Sequence, residues 1–284
     1  MPLRRIRIQD LKARKQRGEK IAVLTAYDAT LARLLERAGI DVLLVGDSVG
    51  MAVLGYDSTI PVTLDAMIHH TAAVARGTTT ALVIADMPFL TYQATAAEAV
   101  RNAGKLIQAG AAAVKIEGGR PMQKVIRRLV DVGIPVMGHL GVQPQSVHQL
   151  SGYRRRGANA DEADAILRDA HALEEAGAFA LVLESIPPEL ARSITAALHI
   201  PTIGIGAGPA CDGQVLVSYD MLGLLDDSPP FAKKYTTLAA AIELAAKAYA
   251  DEVRGGRFPD ASRDASRPGL NTATGAATAD KAGD

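Results

Sequence analysis

Residues 42–50 read VLLVGDSVG, and this stretch decides how the rest of the chain is interpreted. Its unbroken run of Val and Leu is typical of a strand that is buried on both faces, as strands of parallel sheets are. Asp47 and Ser48 follow at once, so they lie at the carboxyl end of the predicted strand. In barrels and in open α/β sheets, this end of the strands carries the functional side chains.

The same pattern, a short apolar run that ends in an ionisable side chain, recurs four times further along the chain. These runs end at Asp86, Glu117, His139 and Glu184, and the run that ends at Glu117 also contains Lys115. Packing alone does not explain so many ionisable strand ends. If the strands are parallel neighbours, these groups meet at one rim of the sheet.

Apolar runs of strand length alternate with segments of helical spacing that end at Gly or Pro, in about eight repeats. This count predicts an α/β fold of the (β/α)₈ or TIM-barrel type. An open doubly wound sheet is the alternative, but polar residues at so many strand ends favour a closed barrel, whose mouth collects residues from every strand. The predicted strands cover residues 21–24, 42–45, 81–85, 113–116, 135–138, 179–183, 202–205 and 214–217.

We expect one catalytic barrel domain over residues 1–258, entered by an N-terminal helix at residues 8–17. The chain has 284 residues, and a single barrel takes roughly 250. Over residues 259–284 the composition is mostly Ala, Thr, Gly, Ser and Asp, which predicts a disordered low-complexity tail. The longer loop at residues 140–159 is a candidate lid.

The composition excludes some classes of partner. Lys and Arg number 31, as do Asp and Glu, so no excess charge favours nucleic acid or an anionic membrane. No apolar run approaches the ~20 residues that span a bilayer, and the first ten residues lack the apolar stretch of a secretory signal. Cys211 is the only cysteine, which excludes an intrachain disulfide and fits a cytoplasmic location.

Three of the strand-end carboxylates predict a metal site. Asp47 or Asp86 alone could instead cap the helix that follows its strand. Glu117 is followed by Gly118 and Gly119 rather than by a helix start, so capping does not explain all three. A site made only of carboxylate oxygens suits Mg²⁺, which keeps some water and takes further ligands from a substrate.

Two basic side chains are predicted to lie beside these carboxylates. Lys115 shares a strand face with Glu117 because side chains alternate along a strand, and a lysine inside a barrel must be paired or functional. His139 ends its strand beside Gly138 and is either a supporting site residue or a structural histidine. The glycine-rich residues 204–208 resemble a dinucleotide fingerprint, although a tight loop that lets backbone approach a ligand explains them better.

Six segments taken together resemble the ketopantoate hydroxymethyltransferase family. The resemblance covers about residues 5–258 and leaves the tail outside the pattern. It rests on residues 25–28 (TAYD), 45–48 (VGDS), 57–63 (DSTIPVT), 114–119 (VKIEGG), 138–141 (GHLG) and 204–208 (GIGAG).

This resemblance implies a barrel of the phosphoenolpyruvate mutase and isocitrate lyase superfamily, working as a homo-oligomer, a decamer. It implies transfer of a one-carbon unit from 5,10-methylenetetrahydrofolate to 3-methyl-2-oxobutanoate, which gives 2-dehydropantoate for pantothenate synthesis. By position, it implies roles for the strand-end residues. The magnesium carboxylates would be Asp47, Asp86 and Glu117, the 2-oxo acid contacts Asp47, Ser48, Asp86 and Lys115, and the proton acceptor Glu184.

Two other functions stay open at this point. One is a related magnesium-dependent C–C lyase or phosphomutase acting on another 2-oxo acid, although such relatives are expected to use a loop cysteine or a different acid pattern. The other is a barrel kept as a non-catalytic scaffold, although a scaffold has no need to hold a buried lysine and four carboxylates at one rim.

Overall fold

The computed structural model describes residues 4–149, 152 and 154–260. Eight strands pair in sequence order, all parallel, and the last pairs with the first, so the sheet is a closed barrel. This confirms the predicted (β/α)₈ fold and excludes the open doubly wound sheet. The strands are β1 Ile21–Thr25, β2 Val42–Val45, β3 Leu82–Asp86, β4 Ala113–Glu117, β5 Val136–Gly141, β6 Ala180–Glu184, β7 Thr202–Ile205 and β8 Gly213–Leu216.

Helices between the strands cover the outside of the barrel, and several of them begin at a side chain that caps their first turn. The Asp28 carboxylate accepts from the N–H groups of Thr30 and Leu31, and Thr63 and Thr95 cap the next long helices in the same way. The helices are α1 Ile8–Arg17, α2 Ala29–Arg37, α3 Val49–Ala52, α4 Leu64–Gly77, α5 Ala96–Gln108, α6 Gln123–Asp131, α7 Ala160–Glu175, α8 Pro188–Ala197, α9 Ser218–Met221 and α10 Leu238–Arg254.

The strands separate two apolar layers. Residues of one parity, such as Val114 and Ile116, pack outward against the helices, and residues of the other parity, such as Ala113, fill the barrel interior. At the carboxyl end of several strands the interior positions become polar. The inward column of β4, for example, runs from Ala113 through Lys115 to Glu117, all buried.

Helix α1 lies at the amino end of the strands. Its Leu11 is fully buried with the side chains of the barrel interior, and its Lys15 donates to the carboxylate of Asp212, which precedes β8. This end of the barrel is therefore filled with apolar side chains, so a ligand enters from the carboxyl end.

The connection from β7 to β8 is a loop, as the predicted strand bounds of 202–205 and 214–217 imply. Residues 206–212, all of which the structure describes, contain no helix, and β8 follows directly. Helix α10 begins at Leu238, and from Thr237 onward the chain forms a second compact unit, in which Ile242, Leu244 and Tyr249 of α10 are exposed. The predicted loop at residues 140–159 is shorter than expected, because β5 extends to Gly141.

The predicted C-terminal tail, residues 259–284, lies outside the described residues apart from Pro259 and Asp260. Its boundary at residue 259 stays a prediction. Within the described part of the chain, no helix combines the length and apolarity needed to cross a membrane.

Candidate active site

The strand register brings the predicted site residues into one layer at the carboxyl mouth. Asp86 pairs with Lys115 across β3 and β4, and Glu117 pairs with His139 across β4 and β5. On the next strand Glu184 pairs with Gly141. One cavity of about 640 Å³ is lined by all seven predicted residues. They are Asp47, Ser48, Asp86, Lys115, Glu117, His139 and Glu184.

Lys115 lies at the centre of this layer. Its Nζ is 3.2 Å from Asp86 Oδ1, 3.9 Å from Glu117 Oε1 and 3.3 Å from His139 Nδ1, and the side chain is only 5% exposed. Burial disfavours the ammonium form, but the surrounding carboxylates outweigh it and raise the pKa of Lys115 above its ordinary value. The lysine is therefore a fixed positive charge inside the barrel.

The three carboxylates differ in their proton affinity. Burial and the charges of Asp86 and Glu117 raise the pKa of Asp47, and burial also raises that of Asp86 despite the neighbouring Lys115. Glu117 is buried too, but His139 and Lys115 hold its pKa below the usual range. Neither aspartate caps a helix: Asp47 Oδ2 accepts from Gln145, and Asp86 Oδ2 accepts from the N–H of Asp47.

His139 connects Glu117 to the predicted base. Its Nδ1 is 3.3 Å from Glu117 Oε1, and its Nε2 is 3.2 Å from Glu184 Oε2. Burial and the charge of Lys115 oppose protonation, but the two flanking carboxylates raise the pKa of His139 to about 9. A protonated His139 therefore faces the Glu184 carboxylate as an ion pair, and the Glu184 side chain is 17% exposed toward the cavity.

The backbone at the end of β6 is shaped to place Glu184. Ser185 has a φ of +48°, which is uncommon for a residue with a side chain. Gly141, with a φ of +98°, lies so close that a Cβ there would be 2.1 Å from the carbonyl oxygen of Glu184. Only a glycine at position 141 allows this approach of β5 to β6.

Sequence reasoning missed Gln145 and Tyr92. The side-chain amide of the buried Gln145 donates to Asp47 Oδ2 at 2.8 Å, and its backbone N–H donates to Glu117 Oε2 at 3.0 Å. The hydroxyl of Tyr92 donates to Gln145 Oε1 at 2.8 Å and so fixes the orientation of the amide. Gln145 comes five residues after Leu140 in a loop, and no local pattern marks it as a site residue.

The β2 end of the mouth carries Ser48, whose Oγ lies 2.9 Å from the hydroxyl of the buried Tyr27. Gly46 lies two residues before Ser48, and a Cβ at position 46 would lie 2.7 Å from Ser48 Oγ and 3.6 Å from Asp86 Oδ2. The glycine therefore leaves the space between Ser48 and Asp86 open to a ligand.

The carboxylate oxygens at the mouth of the barrel fit a hard divalent cation that is held by few protein ligands. Within the described residues, Asp86 Oδ1 and Glu117 Oε1 are buried oxygens that complete no hydrogen bond. No three acidic, histidine or cysteine side chains in the described ranges already form a metal cage. Mg²⁺ commonly takes only one or two carboxylates and completes its shell with water and substrate, so two of the three carboxylates would be enough to hold it. That Asp47, Asp86 and Glu117 are its ligands stays a prediction.

The raised pKa of His139 predicts a pH dependence of stability. A histidine that binds its proton more tightly when folded contributes stability below about pH 6.5, and this contribution is lost as the pH rises through about 9. We expect a loss of up to about 3 kcal/mol across this window. Urea unfolding at pH 6 and at pH 9.5 should show that His139→Gln loses less free energy of unfolding over this interval than wild type does. The exposed His199→Gln should behave as wild type, and equal losses in all three proteins would contradict the assignment.

The fold and the site together define a class of protein. A barrel whose carboxyl mouth gathers a buried lysine, four carboxylates and a histidine around one cavity is a (β/α)₈-barrel enzyme.

Comparison with known proteins identifies the family. The profile of the ketopantoate hydroxymethyltransferase family matches residues 5–261. A 3-methyl-2-oxobutanoate hydroxymethyltransferase of Moorella thermoacetica is 57% identical over 258 residues, which cover 90% of this chain and 96% of the relative. One of Acaryochloris marina is 59% identical over 256 residues, with 89% and 99% covered. The chain belongs to the ketopantoate hydroxymethyltransferase family and is an enzyme, a hydroxymethyltransferase.

Solved structures share the fold at low sequence identity. A phosphonopyruvate hydrolase in complex with oxalate and Mg²⁺ superposes with a TM-score of 0.60 at 17% identity, over 93% of this chain and 92% of the other. A 2,3-dimethylmalate lyase of the PEP mutase/isocitrate lyase superfamily gives a TM-score of 0.58 at 20% identity, over 94% and 91%. These likenesses concern the barrel alone.

Proposed function

We propose that the enzyme transfers a one-carbon unit from 5,10-methylenetetrahydrofolate to C3 of 3-methyl-2-oxobutanoate through an enolate, giving 2-dehydropantoate. The net reaction consumes one water, whose oxygen becomes the hydroxymethyl oxygen, and releases tetrahydrofolate. The observation that supports this best is the cavity, whose lining includes Lys115, Asp47 and Asp86 together with Glu184. Chemistry at a carbon next to a 2-oxo group needs a base on one side and positive charge at the developing oxyanion on the other.

The protein side chains divide this work. The Glu184 carboxylate takes the C3 proton, and His139, at 3.2 Å from it, orients the carboxylate. Lys115 places its charge beside the oxo oxygen, and Ser48 offers a hydroxyl to the substrate carboxylate. Asp47 and Asp86, with Glu117 as the predicted third ligand, would hold Mg²⁺. Mg²⁺, when bound, supplies a Lewis acid for the oxo acid.

The whole assignment is tested by an assay with 3-methyl-2-oxobutanoate, the methylene folate and Mg²⁺, followed by proton NMR. Formation of 2-dehydropantoate only when all three are present is the expected result. Cleavage of the oxo acid without folate would instead indicate a lyase of the same superfamily. A chain that binds the oxo acid and leaves it unchanged would indicate a scaffold.

The metal ligands are tested by Asp47→Asn and Asp86→Asn. A neutral amide is a poorer ligand for a hard cation than a carboxylate, so we expect both variants to need more Mg²⁺ while their far-ultraviolet circular dichroism stays that of wild type. Direct binding of Mn²⁺, measured by electron paramagnetic resonance, gives a readout that is independent of activity. Asp226→Asn, a change in an exposed loop, is the matched control. Wild-type metal titrations in both site variants would refute the assignment.

We further propose that the chain works in the cytoplasm as a homo-oligomer, a decamer. The support is the family to which the chain belongs. Sedimentation velocity of the full chain, over a hundredfold range of concentration, measures the mass of the assembly directly.

A further inference from the structure

The cavity extends well beyond the layer of charged residues. A small branched 2-oxo acid occupies only a fraction of its volume of about 640 Å³. The part that remains lies toward β8 and the segment that follows it. Its lining is largely apolar and includes Leu216, Leu225, Pro229, Pro230 and Phe231.

Two acidic side chains, Asp220 and Asp227, interrupt this apolar lining, and only Asp220 is buried. Asp220, in α9, lines the cavity and is only 5% exposed. Its Oδ1 is buried and, within the described part of the chain, completes no hydrogen bond. A buried carboxylate oxygen without a partner costs free energy, and such a group indicates that a ligand supplies the missing donors.

The surroundings only partly compensate the charge of Asp220. Burial raises its pKa, while the nearby Ser228 and the charge of Lys234 act in the opposite direction. Yet the Oγ of Ser228 also completes no hydrogen bond to a described residue. The Lys234 ammonium donates instead to the carbonyl oxygens of Leu225 and Asp226, which fixes the loop that forms this wall.

The position of Asp220 is fixed by contacts of the two residues that precede it in α9. Ser218 begins the helix, and its N–H donates to Thr25 Oγ1 of β1 at 2.9 Å. Tyr219 packs edge-on against Tyr27, with ring centroids 5.5 Å apart. Asp220 is therefore held on a rigid turn beside β1 rather than on a mobile loop.

We propose that Asp220 recognises the 2-amino-4-oxo edge of a pterin, so that this end of the cavity holds the ring of the one-carbon donor. That edge presents two adjacent N–H donors, which match the two oxygens of a carboxylate as a guanidinium does. The flat body of the ring suits an apolar slot that contains an aromatic side chain. Phe231 lies directly over Gly206, where a Cβ would be 2.7 Å from its ring. The assignment rests on the proposed folate-dependent function and adds the residue that reads the pterin.

The test compares Asp220→Asn with wild type and with Asp164→Asn, a matched control whose side chain is exposed on α7. Asp220→Asn removes the charge of the group that would accept the hydrogen bonds of the pterin. We therefore expect the KM for methylenetetrahydrofolate to rise about tenfold or more. The KM for the oxo acid and its folate-independent C3 proton exchange should stay at the wild-type level.

A second measurement uses binding alone. Wild type should bind 6-methyltetrahydropterin about tenfold more tightly than the analogue in which a methyl group replaces the 2-amino group. Asp220→Asn and Asp220→Ser should both lose this discrimination, which a merely structural role would leave unchanged.

The outcomes separate this inference from the proposed function. If the variants keep the wild-type folate KM and the preference for the 2-amino group, the inference is wrong while the function stands. If proton exchange falls together with folate binding, Asp220 supports the barrel mouth and the inference is again wrong. A wild-type enzyme that exchanges the proton but neither binds the pterin nor transfers carbon from folate would overturn both the inference and the folate-dependent function.

Discussion

Glu184→Gln should abolish most of the exchange of the C3 proton of 3-methyl-2-oxobutanoate with D₂O, which wild type should catalyse without folate when Mg²⁺ is present. The amide keeps the shape of the side chain and removes the proton acceptor. Loss of a general base typically lowers a rate by ~10²–10⁴. Proton NMR of the isopropyl signal follows the exchange directly.

Binding of the oxo acid should survive in Glu184→Gln, because the contacts proposed for it are Ser48, Lys115 and the metal carboxylates. Glu189→Gln is the matched control, since that residue lies on α8 with its side chain 77% exposed. If Glu184→Gln exchanges the proton at the wild-type rate, the base lies elsewhere. His139 would then be the next residue to mutate, because it lies 3.2 Å from Glu184 in the same layer.

Lys115→Met should impair both catalysis and stability. The variant removes the positive charge proposed to lie at the developing oxyanion, and loss of such a group typically lowers the rate by ~10²–10³. It also leaves Asp86 buried without its counter-charge, while Glu117 keeps His139, and breaking a buried ion pair costs about 3–5 kcal/mol. Chemical denaturation and the proton-exchange assay measure the two effects separately.

The pH dependence of the stability of Lys115→Met distinguishes the loss of the ammonium charge from a simple packing defect. Without the ammonium, the pKa values of Asp47 and Asp86, which already lie above their ordinary values, rise further. The stability that their protonation contributes is full below their unfolded pKa values of about 4 and is lost as the pH rises through the folded-state values, so Lys115→Met should regain stability on mild acidification. Lys105→Met, a change on the exposed face of α5, should show neither effect. A destabilisation of Lys115→Met that is the same at every pH would contradict the electrostatic explanation.

The sequence by itself determined the fold class and the polar mouth of the barrel. Strand and helix periodicities are local properties, because burial on both faces of a strand requires a continuous apolar run such as residues 42–45. The alternation of side chains places Lys115 and Glu117 on the same face whatever the rest of the chain does. Parallel strands then bring their carboxyl ends to one rim, which is why seven residues chosen from strand ends line one cavity.

Only the tertiary structure decided which of these groups touch, and which residues from elsewhere join them. Gln145 donates to Asp47 across 98 positions of sequence, and Asp220 reaches the same cavity from a turn after β8. Nothing in the local composition around either residue marks it, because its role depends on the closure of the barrel and on strand register. The register also pairs His139 with Glu117 and places it beside Glu184, which raises the pKa of His139 to about 9. A pKa shift depends on distances between charges, and these distances are fixed only when the barrel closes.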